Sequence, residues 1–170
     1  MVKSSLVQSR GVTLIELVLV MVILFIMAGV VAPRLSDSFP AMQVNRSATR
    51  ILAWSKKARS DAALTGAKQR LVIDSSKKTL WIEAQTQPLK EPGRFEQLGA
   101  AADVEEFPDA VVFESLEGLK GDGSKKYLEF DPDGTTTDAT IILANDRGDR
   151  KIVKVVGATA RVTIEDGTVQ

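Results

Sequence analysis

The sequence predicts an α+β protein, with a long amino-terminal transmembrane and amphipathic helix packed against a carboxyl-terminal antiparallel β-sheet domain. Three observations predict it. Residues 12–32, VTLIELVLVMVILFIMAGVVA, are apolar on every side and carry Glu16 as their only charge. After Pro33, residues Ala41, Val44, Ala48, Ile51, Leu52, Ser55, Ala58 and Ala62 recur at three- and four-residue steps, the spacing of one helical face. Beyond Gly66 the period falls to two, in short runs of Val, Ile, Leu and Trp divided by turn residues.

Composition narrows the chemistry before any motif is read. The 170 residues suffice for one modest domain, and 44% of them are apolar, enough to fill a core. With 22 basic against 22 acidic side chains there is no net charge to draw in a polyanion. The absence of Cys excludes disulfides and thiolate chemistry, and the absence of His removes the usual general base and the commonest zinc ligand.

The first element is the 12–32 run. Its 21 residues rise about 31 Å as a helix, close to the thickness of a bilayer's hydrocarbon core. Lys3 and Arg10 precede it without an acid, so the positive-inside bias leaves residues 1–11 in the cytoplasm and carries the remainder across. A cleaved secretory signal is shorter and ends in small residues, whereas here Pro33-Arg34-Leu35 follows. Thr13-x-x-Glu16 is also a capping box, in which both side chains satisfy orphan backbone N–H groups. A glutamine would cap as well, and a carboxylate entering hydrocarbon is costly, so Glu16 points to a function beyond capping.

Arg10-Gly11-Val12-Thr13-Leu14-Ile15-Glu16, placed before the apolar helix, resembles a type IV prepilin signal. The resemblance implies cleavage by the membrane-embedded prepilin peptidase between Gly11 and Val12, N-methylation of Val12, and a role for Glu16 in assembly. It extends to Pro33, where pilin helices commonly kink, and departs at Val12, where phenylalanine is usual. It divides the chain into a leader (1–11), a transmembrane helix (12–32), an amphipathic helix reaching the outer domain (33–65) and a β-rich periplasmic domain (66–170). Cleavage would remove two basic residues, leaving 20 against 22 acidic ones in the mature chain.

In the second element Arg46, Arg50, Lys56, Lys57 and Arg59 lie off or at the edges of the apolar stripe, and Thr65-Gly66 supplies a stop. Pro33 and Ser38-Phe39-Pro40 predict kinks or a break within it. Runs 68–74 and 79–85, joined by Ser75-Ser76-Lys77-Lys78, read as a hairpin. Residues 86–109, with Pro88, Pro92, Pro108, Gly93 and Gly99, show no period and read as a long excursion. Strand-like runs return at 111–115, 126–131, 140–145, 151–157 and 161–165.

Phe130-Asp131-Pro132-Asp133-Gly134-Thr135, the strand IILAN, Gly148 and then KIVKVVGATARVTI resemble, in that order, the carboxyl domain of H-type pseudopilins and FimT-like pilins. The departure is Ala158-Thr159-Ala160-Arg161, where that family often has a Thr-Gly-Arg step. The resemblance implies two small sheets packed on the helix and a minor subunit near the tip of the type II secretion pseudopilus. Its implied partners are prepilin peptidase, other minor and major pseudopilins, secreted cargo and membrane lipid. Its implied location is the bacterial inner membrane, single-pass, with the amino terminus cytoplasmic and the outer domain periplasmic.

Asp131, Asp133 and Asp138 around Gly134 look like an oxygen-rich cation loop, but the spacing fails the EF-hand pattern and Asp-Pro-Asp-Gly is a strong turn by itself. No metal and no cofactor is expected. Arg147, Arg150, Lys151, Lys154 and Arg161 form a locally basic region, the one feature compatible with DNA, while alternating edge charges also block aggregation. Trp54, Trp81 and Tyr127 are too scattered in sequence for a stacking platform. The expectation is a minor pseudopilin that works by assembly and not catalysis. A FimT-like minor pilin engaged in pilus assembly or DNA uptake is the alternative, and a signal-anchored periplasmic enzyme the third reading.

Overall fold

The computed structural model describes residues 12–97 and 103–167, with the backbone alone at 28–38. The order of elements is α1 (Leu14–Thr65), β1 (Gln69–Asp74), β2 (Thr79–Gln85), β3 (Phe95–Gln97), β4 (Glu105–Glu106), β5 (Val112–Glu117), β6 (Lys125–Phe130), β7 (Ala139–Ala144), β8 (Arg150–Val156) and β9 (Arg161–Asp166). The chain divides into two compact units, Met1–Ser38 and Phe39–Gln170.

The helix runs unbroken through Pro33 and Pro40, so of the kinks or break expected there the break is absent. A proline removes one intrahelical hydrogen bond and crowds one carbonyl, and a helix absorbs that by bending while its other bonds persist. The helix ends where expected. Gly66 takes a left-handed φ of 65° and its N–H donates to the Ala62 carbonyl at 3.0 Å, closing the last turn.

In the second unit, Val44, Ser47, Ala48, Ile51, Ser55, Ala58 and Ala62 are buried along the helix, and Arg46, Arg50, Lys56, Lys57 and Arg59 are exposed. The stripe is rich in alanine and serine because small side chains let the sheets approach the helix backbone. Buried Ser55 returns its hydroxyl proton to the Ile51 carbonyl at 2.7 Å, so the stripe contains a hydroxyl at little cost.

The strands form two antiparallel sheets. The first runs β3-β2-β1-β6 with β4 also on β2, and the second runs β5-β7-β8-β9. In the first, Leu71, Ile82 and Leu128 stand side by side across β1, β2 and β6, as do Gln69, Ala84 and Phe130. In the second, Ile141, Val153 and Ile164 form the corresponding row. The Leu71 row, Phe130 and the Ile141 row join the helix stripe in one core.

The hairpin turn is held by Asp74, whose buried carboxylate accepts from the Ser76 N–H, the Ser76 hydroxyl at 2.6 Å and the Lys77 N–H. The Ser76 hydroxyl above all, joined by the two N–H groups against burial, holds its pKa below the usual carboxylate value.

Within the 86–109 excursion the described residues include two strands that its composition does not suggest. β3 pairs with the Glu83–Gln85 end of β2, and β4 pairs with Thr79 and Leu80. Phe107 is buried and meets Phe113 edge-on, with ring centroids 5.2 Å apart. These strands have two or three residues and no alternation, so backbone pairing to a neighbouring edge makes them. On β5 the register shifts between Phe113 and Ser115, and this bulge lets both Phe113 and Leu116 reach the core.

Candidate assembly surfaces

The amino-terminal surface begins at Val12; Gly11, and with it the expected cleavage bond, lies outside the described residues. The Thr13 hydroxyl accepts from the Glu16 N–H at 3.3 Å, which forms one arm of the expected cap. From 12 to 27 every residue is exposed, including Leu14 at 80% and Phe25 at 77%. Exposed apolar area on this scale is characteristic of interaction surfaces. Among the described residues no helix is long and apolar enough to cross a membrane, and the side chains of 28–32 in the expected span lie outside them. Pro33 likewise has only its helical backbone described.

A second surface lies on the first sheet, on the face turned away from the core. Trp81 and Tyr127 flank Val72 across β2, β1 and β6. Sequence separation hid this, and it corrects the view that these aromatic residues are scattered; Trp54 sits apart, packed against the core from the helix. The Arg70 guanidinium lies 3.4 Å from the Phe95 ring centroid and 4.3 Å from that of Tyr127. Its Nε donates to Glu129 at 2.9 Å, and Lys68 reaches Glu129 at 3.2 Å and Asp131 at 2.8 Å. Burial pushes the Glu129 carboxyl up, but Arg70 and Lys68 together outweigh it and leave its pKa below the usual value. Asp131 and then Glu129 raise that of Lys68. The stack clasps β3, and so the excursion, onto the sheet.

The aspartates of the candidate cation loop serve the fold. The Gly134 N–H closes on the Asp131 carbonyl at 3.0 Å with φ of 86°, as the turn reading requires. The Asp131 carboxylate pairs with Lys68, that of Asp133 accepts from the Thr135 N–H and hydroxyl, and that of Asp138 accepts from the Gly157 N–H at 2.7 Å. They are engaged separately, and do not converge on a point. In the basic carboxyl region, Arg150 pairs with Glu114, Lys151 with Asp166, and Lys154 with Glu165.

An open groove of about 490 Å³ runs between Ala41–Asn45 of the helix and the segments Gly148–Lys151 and Asp166–Gly167. Its charged lining includes the already paired Arg150 and Lys151.

No protein-family model and no curated protein sequence matches the chain. Solved structures do. The chain is similar to the minor pseudopilin EpsH from the Type 2 Secretion System of Vibrio cholerae, at 12% identity over 73% of this chain and 97% of that one, with a TM-score of 0.57. Escherichia coli GspH is similar at 18% identity over 74% and 89%, also with a TM-score of 0.57. The type IV minor pilin FimU of Pseudomonas aeruginosa is similar at 16% identity over 72% and 87%, with a TM-score of 0.51. At these identities the likeness establishes the architecture: the chain has the pilin-like α+β fold that minor pseudopilins and a minor pilin share.

Proposed function

We propose that the chain is the precursor of a minor pseudopilin of a type II secretion system, an assembly subunit rather than an enzyme. The observation that carries this reading is one helix with two destinies. Over 12–27 it is apolar and exposed, and over 44–62 it is the spine of a domain with the minor pseudopilin fold. A subunit built this way is held first by lipid and then by the helices of neighbouring subunits. In this reading residues 12–32 span the inner membrane, prepilin peptidase cuts between Gly11 and Val12, and Val12 is methylated. Glu16 then neutralises the Val12 amine of a neighbouring subunit, which sets the docking register, and Pro33 kinks the helix above the membrane. The outer domain meets other pseudopilins or secreted cargo in the periplasm.

Intact mass and fiber incorporation test this together. Gly11→Val should leave the protein membrane-inserted but uncleaved, because the peptidase must accommodate its cut site while insertion needs only the apolar run. Glu16→Gln preserves shape and cap, so cleavage should survive while incorporation and secretion fall. Recovery of wild-type protein with residues 1–11 still attached, from cells with active peptidase, would sink the reading.

The likeness to the type IV minor pilin FimU favours a second reading, a minor pilin engaged in pilus assembly; the DNA-uptake form of that reading rests on the basic carboxyl region alone. It predicts salt-sensitive duplex binding lost on removal of Arg147, Arg150 and Arg161. The ion pairs made by Arg150, Lys151 and Lys154 reduce the charge left for phosphates and argue against DNA as a partner.

A further inference from the structure

The four outer edges of the two sheets are not alike. On the first sheet, β3 and β4 are three and two residues long, and β6 carries the bridge from Lys120 to Tyr127. On the second sheet, β5 is interrupted by its bulge. Short strands and bulges are the usual means by which an edge refuses a partner. β9 has neither. Its six residues pair with β8 without a register shift, and among the described residues no strand lies on its other side.

The side chains along β9 alternate. Val162 and Ile164 belong to the core face and Arg161, Thr163 and Glu165 to the opposite face. Val162 and Ile164 remain half-buried, whereas their β8 neighbours Val155 and Val153 are buried completely. The apolar row of the second sheet therefore runs out unfinished at β9.

We infer that β9 pairs antiparallel with β9 of a second copy of this chain, about a two-fold axis through Thr163, so that the second sheet continues across both subunits. The sequence RVTIED is self-complementary in this register. Arg161 stands opposite Glu165 of the other copy and Glu165 opposite its Arg161, Val162 opposite Ile164 twice, and Thr163 opposite itself. Apart from the central Thr163 pair, each cross-pair joins unlike charges or two aliphatic residues. Lys154 already holds Glu165 at 2.6 Å on the same face, so Glu165 would lie between two cations. A one-residue slip would instead set Val162 opposite Glu165 and place the core faces of the two copies on opposite sides of the sheet. Shifting by two would put Arg161 against Thr163. The charge alternation that would repel a random strand thus admits this chain in one register. The inference goes beyond the proposed function and does not depend on it.

The chain has no cysteine, so one introduced thiol reports one contact. Thr163→Cys in the full-length protein, oxidised in the cells that produce it, should give a disulfide-linked homodimer, with a short bis-maleimide as a second bridge across the same pair. Ser115→Cys, on the opposite edge of the same sheet, should stay monomeric. In the Thr163→Cys background, Arg161→Glu or Glu165→Arg places like charges opposite each other twice and should lower dimer yield roughly fivefold or more. The double exchange of both residues should restore it to within about twofold. Trypsin resistance of the domain, unchanged across the set, separates lost pairing from lost folding. Absence of dimer with both bridges, equal dimer from the Ser115 position, yield indifferent to the single reversals, or a covalent product with a different protein would each overturn the inference.

Discussion

Residues 12–27 and 44–62 share one helical assignment and treat apolar side chains in opposite ways. In the first, every residue is exposed and large apolar residues follow one another. In the second, only one face is apolar, its residues are mostly Ala, Ser, Val and Ile, and it is buried by two sheets of the same unit. Helix formation alone does not fill a core. A helix that is apolar all round is matched to a surrounding medium, and one with a narrow stripe of small residues is matched to neighbours fixed by its own chain.

The contrast is broken most forcefully at Ile51, which is fully buried. Ile51→Ala should cost about 2–5 kcal/mol of domain stability through lost burial and the cavity left behind. Leu24→Ala, from the exposed run, should leave the domain's denaturant midpoint unchanged. Equal effects would mean that the two regions do not differ as described.

Ala58, also fully buried, tests the small-residue requirement from the other side. Ala58→Leu adds volume where sheet and helix already touch, and should cost about 1–3 kcal/mol, read as a lower midpoint with an unchanged slope.

Acid separates the regions by a different route. Asp74 and Glu129 have pKa values lowered by their partners, so each contributes stability that is present above the ordinary carboxylate range and is lost as pH falls through the folded value. Domain stability should therefore decline from about pH 4 downward. Asp74→Asn and Glu129→Gln should each flatten that decline. Lys68 runs the other way, since its raised pKa contributes stability that is lost only as pH climbs above the usual lysine value.

The smallest effect is expected at Ala160, which takes φ of 45° and ψ of 31° and is buried in the core. Ala160→Gly relieves about 1–2 kcal/mol of left-handed strain. It gives up about 0.5–1 kcal/mol of backbone entropy and about 0.8 kcal/mol of methyl burial. Thermal unfolding should change little in either direction; a large loss would show that the methyl contact outweighs the strain.

Much of this architecture was legible from local pattern. The helix stop at Thr65-Gly66, the buried stripe from Val44 to Ala62, the hairpin of β1 and β2, and five later strands within a residue or two all follow from periodicity and turn chemistry. Gly11 and Glu16 stand out as candidates because a charge or a glycine beside an apolar run is conspicuous in one dimension. Ser47 is buried on the same stripe as Ser55, although the expected pattern took in Ser55 and passed over Ser47.

By itself, then, the sequence determined the period of each segment and hence its type, together with the contrast between an all-round apolar helix and a one-sided one. Tertiary structure alone decided what required long-range pairing. It made β3 and β4 strands, because their few residues gain hydrogen bonds only where β2 offers an edge. It brought Arg70, Phe95, Tyr127 and Glu129 together from three strands, up to 59 residues apart. It also left β9 as the end of its sheet, since which strand lies at an edge depends on the order of strands in space, an order that no local pattern carries.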